Sequence, residues 1–265
     1  MRFRKLADLE RPRPREIILG EMPQVIAAAR YALDKAFKIN ELVLAVHRQS
    51  YEWYGFTLGP RSRPELVADV GLPGNLDNIE DYTSISPELI AAFQESLPED
   101  LVINGWIHSH GSMEFRGFSA MDEANQMTVL DYVTARLRFP VAKREVLIKD
   151  LALLTEGRYS EQDLERGAVC LITDAPVSQA RIMETVYGGF CYSIVVGDGG
   201  WHRQEILCKT RGVLSGQIAL TKKTAELEIV DESRRLQAPE MEALREEVRD
   251  KIKPVAYKLP KLESV

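Results

Sequence analysis

The chain has 265 residues, of which 45% are hydrophobic, 28% charged and 8% aromatic, as in ordinary globular proteins. Its formal net charge of −6 argues against general binding to nucleic acids or anionic membranes, because both require a basic surface. No segment approaches the roughly 18 uninterrupted apolar residues of a membrane-spanning helix, and no signal-peptide core opens the sequence. The three cysteines form no C-x-x-C pair, and an odd number favours a reducing compartment. We therefore expect a cytoplasmic protein.

The first part of the chain predicts an arm, a helix and several strands. Residues 1–16 are rich in arginine and proline, which indicates an extended arm. A helix is expected from Pro23, because proline favours the first helical turn, to about Asn40. Three short β-like runs between turn-forming residues follow and are expected to be strands of one sheet: ELVLAVHR (41–48), YEWYGFTLG (51–59) and ELVADVGLP (65–73).

The middle of the chain predicts a helix, a buried strand and a second helix. Ser86 and Pro87 are a typical N-cap and first residue of a short helix. LVINGWI (101–107) has the length and branched residues of a buried strand, which His108 and His110 continue. A helix is predicted from Ser119, and its apolar stripe is expected to consist of Ala124, Met127, Leu130, Val133 and Leu137.

The remaining segments define the predicted domain organisation. A domain over 17–215 is expected to contain a charged, partly helical insertion at about 141–167. Further strands are predicted at GAVCLITDAP (167–176), GGFCYSIVVGDGG (188–200) and WHRQEILCKT (201–210). An extension over 216–265 holds one more β-like run, TAELEIVD, and an amphipathic helix at about 239–253. That helix either packs on its own domain or serves self-association or contact with a partner.

Two histidines and an aspartate predict a metal site. Alternate residues on a strand face the same side, so His108 and His110 can reach one metal ion. Asp122 would be a third ligand, and three protein ligands with an open position are typical of catalytic zinc. Two alternatives stay open at this point. The histidines could be hydrogen-bonded without metal, and Ser119-x-x-Asp122 is also a helix capping box.

The pattern resembles one family of zinc hydrolases. It consists of H-x-H after GWI, then a loop, then S-x-x-D, with Glu52 to Gly59 forming E-x-x-G-x-L-x-G upstream. No H-E-x-x-H and no P-C-x-x-C occurs, which excludes zincins and the zinc deaminases. The chain is similar to the JAMM (MPN+) metalloproteases over roughly 17–210. It departs from their usual pattern at Gly111, where they have proline, and in a loop that is one residue longer.

The resemblance implies a fold, a cofactor and residue roles. The fold would be α/β, a cytidine-deaminase-like mixed sheet flanked by helices in a three-layer sandwich. His108, His110 and Asp122 would bind one Zn²⁺ per chain. Glu52 would be the catalytic base, with Glu41 as the runner-up, and Ser119 would stabilise the oxyanion.

The resemblance also implies an activity and a partner. We expect a deubiquitinase-like zinc peptidase or isopeptidase that hydrolyses an amide bond at a protein tail, with a ubiquitin-like protein as the substrate. The alternative is a binding or scaffold module of the same fold with a weakly active or inactive metal site.

Overall fold

The structure is a computed structural model, and it describes residues 16–74, 85–112, 114–149 and 179–253. Three predicted features lie outside the described residues: the arm as far as residue 15, the insertion from 150 to 167, and the strand at 167–176. The described residues form two compact units. The smaller one contains residues 16–20, 140–149, 179–187 and 211–217, and the larger one contains the others.

The chain has the predicted mixed α/β character. The helices are α1 (Arg30–His47), α2 (Pro87–Ser96), α3 (Ala120–Arg136) and α4 (Ala238–Lys251). The strands are β1 (Glu16–Ile18), β2 (Ile26–Ala29), β3 (Tyr54–Pro60), β4 (Leu66–Val67), β5 (Asp69–Gly71), β6 (Leu101–Ser109), β7 (Phe139–Lys149), β8 (Gln179–Gly197), β9 (Trp201–Gly212), β10 (Ile218–Thr224) and β11 (Leu227–Asp231). Across the described ranges, no helix has the length and apolar character needed to cross a membrane.

The larger unit is built on a mixed sheet with β6 at its centre. Strand β6 pairs antiparallel with β3 and parallel with β8, so it has a hydrogen-bonded neighbour on each side. Strand β5 follows β3 in an antiparallel pair, and β9 pairs with both β8 and β10. Every residue of β6 after Leu101 is buried. The prediction of a buried strand before the two histidines is therefore confirmed.

A second, three-stranded sheet corrects the predicted start of the first helix. Strand β2 lies between β11 and β4, and both pairs are parallel. Residues 26–29, which were expected to be helical from Pro23, are extended because their backbone groups pair with these two strands. The strand predicted within TAELEIVD is confirmed as β11. Strand β10 was not predicted.

Helix α1 continues through a segment that was expected to be a strand. ELVLAVHR resembles a strand because its apolar residues are consecutive, yet α1 ends only at His47, with Arg48 at a left-handed φ of 59°. Leu42 and Val43 are buried, whereas Leu44 is 49% exposed. Burial thus follows a helical face that continues from Ile39, so the predictions of a stop near Asn40 and a strand after it are wrong.

The larger unit has two hydrophobic clusters. Alternate residues of β8 enter different clusters, because successive strand residues point to opposite faces. The first cluster includes Ile39 of α1, and Leu244 and Val248 of α4. The second includes Ile90 of α2 and Val129 of α3. The predicted helix near 239–253 is confirmed as α4, and its apolar face is buried within the chain. Its contact with a partner stays a prediction.

The start signals of α2 and α3 were predicted correctly. The Ser86 hydroxyl accepts a hydrogen bond from the Leu89 amide at 3.2 Å, and Pro87 opens α2. Ser119 is the N-cap of α3. The predicted stripe of α3 is partly wrong, because Met127 is 38% exposed while Gln126 is buried. Gln126 points inward because its side-chain amide donates a hydrogen bond to the buried Ser193 hydroxyl at 2.8 Å.

The smaller unit contains the first part of the predicted insertion. Residues 141–149 belong to β7, which pairs antiparallel with β1, so this part of the charged stretch is a strand. Residues 150–167, the remainder of the predicted insertion, lie outside the described residues. Val141 and Ala142 are buried near the start of the strand, whereas Lys143 is exposed and Arg144 and Glu145 are half-buried.

A buried carboxylate organises the smaller unit. Glu184 is 1% exposed, and it accepts hydrogen bonds from the Leu214 and Ser215 amides at 3.0 and 2.9 Å. The Ser215 hydroxyl donates at 2.8 Å, and the Arg144 guanidinium donates at 2.9 Å. Burial alone would raise the pKa of Glu184, but these donors lower it from 4.5 to about 2. The carboxylate therefore stabilises the fold only in its ionised form.

Glu184→Gln is expected to lower the free energy of unfolding by about 3 kcal/mol at pH 7, which corresponds to the shift of the pKa from 4.5 to about 2. Because the folded-state pKa is depressed, the contribution is fully present above pH 4.5 and is lost as the pH falls through 2. Urea unfolding at several pH values measures the difference from wild type. Glu228→Gln, at an exposed position of β11, is the control. A difference that does not shrink in acid contradicts this role for Glu184.

Candidate metal centre

The end of β6 places two imidazoles side by side. His108 pairs with Tyr54 of β3 and with Val195 of β8, so its backbone is fixed from both sides. The His110 amide donates to the Val196 carbonyl at 3.0 Å, just after the last residue of β6. His108 and His110 are 5% and 4% exposed. Their Nε2 atoms lie 3.1 Å apart.

The first turn of α3 brings Asp122 to the histidines. The Ser119 hydroxyl accepts a hydrogen bond from the Asp122 amide at 3.2 Å, and Asp122 Oδ2 accepts one from the Ser119 amide at 2.6 Å. This is a complete capping box, so the alternative derived from the sequence is also correct. The cap fixes the carboxylate with Oδ1 at 3.3 Å from His108 Nε2 and Oδ2 at 3.5 Å from His110 Nε2.

The spacing of these donor atoms fits a tetrahedral metal ion. With bonds of about 2.0–2.1 Å to nitrogen or oxygen, two ligands of tetrahedral zinc lie about 3.3–3.4 Å apart. The two Nε2 atoms are 3.1 Å apart, close to that value, and each oxygen of Asp122 lies beside one imidazole, at 3.3 Å from His108 Nε2 for Oδ1 and 3.5 Å from His110 Nε2 for Oδ2. One donor atom from each of His108, His110 and Asp122 lies within 4.8 Å of the others, and all three residues are buried. The donors are nitrogen and oxygen without sulfur, a set that suits zinc and other first-row divalent metals.

The pKa values of the three groups show how strongly they interact. Burial lowers the pKa of His108, although Asp122 opposes this. Burial also acts to lower the pKa of His110, but hydrogen bonds to Asp122 and to the Phe115 carbonyl outweigh it, and the net shift is upward. Burial acts to raise the pKa of Asp122, but the two histidines hold it well below its usual range. The aspartate is therefore an anion ready to bind a cation.

The two imidazole rings are oriented differently. His110 Nδ1 lies 2.9 Å from the Phe115 carbonyl, which leaves Nε2 free for a metal if Nδ1 carries the proton. His108 stacks on Trp106 with ring centres 4.4 Å apart and planes inclined by 11°. Its Nδ1 is buried and has no hydrogen-bond partner among the described residues. Aromatic stacking therefore holds His108, whereas a carbonyl of the following loop holds His110.

Glu52 lies near this group, whereas Glu41 does not. Glu52 is half-buried in the segment that enters β3. Burial raises its pKa, and the charges of His110 and Asp122 act on it in opposite directions. The carbonyl of the next residue, Trp53, accepts a hydrogen bond from the Ser109 amide at 2.8 Å, so Glu52 lies beside the end of β6. The side chain of Glu41 is 68% exposed on α1 and pairs with Lys38 at 2.7 Å. The structure thus brings Glu52 and Ser119 to the three buried groups and leaves the runner-up base outside.

Gly111 explains why the loop after His110 departs from the resembling family. Its φ is +51°, a left-handed conformation that glycine adopts easily. Proline, which the family usually has here, requires a φ near −65° and cannot adopt it. An added Cβ would also lie 2.5 Å from the Ser50 hydroxyl oxygen. The loop after Gly111 carries Phe115 to the ring face of His110, with ring centres 5.6 Å apart.

Several contributors to the site were not predicted from the sequence. Trp106 could have been found, because it alternates with His108 and His110 along β6 and so shares their face. Buried partners of Trp106 lie far away in sequence: its indole N–H and the Gln126 amide both donate to the Ser193 hydroxyl at 2.8 Å. No spacing rule connects these residues.

No protein-family model matches this chain, and no curated protein matches it. The roles of the site residues stay predictions that depend on the geometry above.

Purified wild-type protein is expected to contain about one zinc ion per chain, because three donors of suitable type and spacing converge. His108→Ala and Asp122→Ala should each lose the ion, since two remaining ligands hold zinc poorly. His202→Ala, at an exposed histidine outside the group, is the matched control and should keep it. Elemental analysis of protein prepared without chelators measures the ratio. Wild-type protein free of metal and unable to take up zinc would contradict the assignment.

Gly111→Ala is expected to cost about 1–2 kcal/mol of stability, because alanine resists a left-handed φ, and to weaken zinc binding about tenfold by displacing His110. Gly216→Ala is the matched control, since Gly216 has a φ of +64° with open space around it. It should lose similar stability and keep full zinc affinity. Equal zinc affinity in both variants would show that the backbone at 111 does not position His110.

Proposed function

We propose that this protein is a zinc-dependent peptidase or isopeptidase of the JAMM (MPN+) type, which hydrolyses an amide bond at the tail of a ubiquitin-like protein. One observation carries the proposal. One donor atom from each of His108, His110 and Asp122 lies within 4.8 Å of the others in a buried space, and the residue after Glu52 is hydrogen-bonded to Ser109, between the two histidines. Three nitrogen and oxygen ligands with an acid–base group nearby are the parts that metal-assisted hydrolysis requires.

The fold supports the same family. The larger unit has helices α1 and α4 at one hydrophobic cluster of its mixed sheet and α2 and α3 at the other. This arrangement suits the three-layer, cytidine-deaminase-like sandwich that the sequence resemblance implies. The glutamate segment, the H-x-H strand and the S-x-x-D helix follow one another in the order that the resemblance implies. The strand and the helix bring the three buried groups together, and β3, which the glutamate segment enters, pairs with the end of that strand. Fold likeness alone would not assign a function, but here the site residues accompany it.

A bound zinc ion would supply a water molecule of lowered pKa and would polarise the substrate carbonyl. His108, His110 and Asp122 would hold the ion. Glu52 takes the proton from the attacking water and returns it to the amine that leaves when the C–N bond breaks. Its raised pKa suits this exchange, because the carboxyl group must both accept and donate a proton near neutral pH.

Ser119 has a second task beside its cap. Its hydroxyl oxygen accepts the Asp122 amide hydrogen bond, which leaves the hydroxyl proton available to another acceptor. The carbonyl oxygen of the substrate, which gains negative charge during attack, is such an acceptor. Ser119 would therefore stabilise the oxyanion while it keeps the first turn of α3 in place.

The cysteines support a cytoplasmic location. Cys191 and Cys208 are both buried and free. Burial raises the pKa of each thiol, which keeps them in the unreactive protonated form. Free, buried thiols are common in proteins of reducing compartments. A ubiquitin-like substrate would be met in the same compartment.

A second candidate function is a binding or scaffold module of the same fold whose metal site is weakly active or inactive. The observation that favours it is low exposure: His108, His110 and Asp122 are 5%, 4% and 9% exposed. Phe115, stacked on His110, is itself 53% exposed and belongs to the longer loop. A site this closed can bind a metal while it admits a peptide tail poorly.

Glu52→Gln separates the two candidates. The variant should keep its zinc and lose about 10²–10⁴-fold in the rate of hydrolysis, the range that acid–base groups contribute. The probe is a set of C-terminal fusions of ubiquitin and of ubiquitin-like proteins from the same organism, with product formation followed over time. Glu41→Gln is the matched control, because Glu41 is exposed and lies outside the site, and it should turn over like wild type.

Unchanged hydrolysis in Glu52→Gln would reject Glu52 as the base. Zinc-loaded wild-type protein that binds the fusions and never cleaves them would favour the scaffold candidate. Cleavage that survives in His108→Ala would contradict the zinc mechanism as a whole.

A further inference from the structure

Asn40 is a polar residue buried in an apolar cluster. It lies on α1 and is 6% exposed, among neighbours such as Ile39 and Val43 of the first hydrophobic cluster. Burying an amide is unfavourable unless hydrogen bonds satisfy it. A leucine would pack at this position without that cost, so the hydrogen-bond partners of Asn40 are informative.

Both ends of the Asn40 amide are paired. The Trp53 indole N–H donates to Asn40 Oδ1 at 2.9 Å, and Asn40 Nδ2 donates to Asp198 Oδ1 at 2.7 Å. Trp53 is 3% exposed, so the first of these bonds is shielded from water. Asn40 thereby connects the segment before β3 to the turn between β8 and β9.

Each partner of Asn40 is adjacent to a residue of the metal centre. Trp53 follows Glu52 directly, and its carbonyl accepts from the Ser109 amide at 2.8 Å, between the two histidines. The Asp198 amide donates to the Gly111 carbonyl at 3.0 Å, directly after His110. The Asn40 amide is thus hydrogen-bonded directly to the segment that carries Glu52 and, through Asp198, is linked to the loop that follows His110.

We propose that Asn40 is a positioning residue for the metal centre. Through its hydrogen bonds to Trp53 and Asp198, it fixes the position of the Glu52 segment relative to the loop after His110. It touches neither metal nor substrate. The inference rests on the proposed function only in so far as His110 is a zinc ligand and Glu52 the base. These two hydrogen bonds satisfy the Asn40 amide and so explain how a polar side chain is tolerated in an apolar cluster.

The chain offers a matched control for a role that is only structural. Asn104 is 0% exposed on β6, accepts from the Thr57 hydroxyl at 2.8 Å, and donates to the Pro64 and Leu66 carbonyls at 2.8 and 2.9 Å. This network stabilises the same sheet and makes no hydrogen bond to the segments of Glu52 or His110. Asn104→Asp should therefore lower stability and leave the metal centre unchanged.

A charge swap tests the proposal. Asn40→Asp places two carboxylates in contact at the position of the 2.7 Å bond and should weaken zinc binding about tenfold, the lower end of what partners of metal ligands contribute. Asp198→Asn alone should have little effect, because its amide oxygen still accepts from Asn40. The double variant Asn40→Asp with Asp198→Asn restores one donor and one acceptor, and it should recover most of the affinity.

Zinc affinity is measured by competition with a chromophoric chelator, and the visible spectrum of the Co²⁺-loaded protein reports the ligand geometry without any substrate. Melting temperatures are recorded for every variant. If Asn40→Asp does not fold, Asp198→Ala at a half-buried turn position removes the acceptor alone and should lower zinc affinity several-fold. Trp53→Phe tests the link to the Glu52 segment, because it removes the hydrogen bond from the indole N–H to Asn40. It should reduce the hydrolysis rate more than it reduces zinc affinity.

The outcomes separate the two proposals. Wild-type affinity and an unchanged Co²⁺ spectrum in Asn40→Asp overturn the positioning role, whatever the enzyme does. The same losses in Asn104→Asp, or no recovery in the swapped pair, overturn it too, because both indicate general destabilisation. Wild-type protein that binds zinc tightly and hydrolyses nothing refutes the enzyme proposal while the positioning role is still decided by affinity. Wild-type protein that binds no zinc refutes both.

Discussion

Two imidazoles and a carboxylate, each less than a tenth exposed, share one small space at the end of β6. Polar groups buried this closely need partners, because desolvation of an ionised carboxylate is unfavourable. Asp122 is held as an anion by the two histidines, and a cation bound to all three would satisfy the same groups better. The strands and helices around this space are arranged so that its three members cannot move apart independently.

Three different kinds of contact fix the site. The central position of β6 sets the backbone of His108, the capping box of α3 sets Asp122, and the loop after Gly111 sets His110 through a carbonyl. The capping box is local in sequence, whereas the position of β6 depends on two strands that are remote in sequence. The third involves one left-handed residue, Gly111, and we propose that the hydrogen bonds of Asn40 support it. Variation in that loop would therefore change access to the site before it changes the set of ligands.

Much of the site was predictable from the sequence, because strand alternation and helix capping are local. H-x-H after an apolar run predicts two imidazoles on one face, and S-x-x-D predicts a carboxylate fixed at a helix start. The helix α1 was misjudged because consecutive apolar residues in ELVLAVHR suit a strand and a helix equally, and only the surrounding contacts decide. Asn40, Ser193 and Phe115 could not be found, since their partners are remote in sequence or are backbone atoms.

X-ray absorption at the zinc edge identifies the ligands of the bound ion. In zinc-loaded wild-type protein we expect imidazole nitrogen and oxygen neighbours at about 2.0–2.1 Å, with multiple scattering from two imidazoles and no sulfur. Sulfur neighbours at about 2.3 Å, or scattering that shows no imidazole, would place the metal elsewhere and would contradict the assignment of His108, His110 and Asp122.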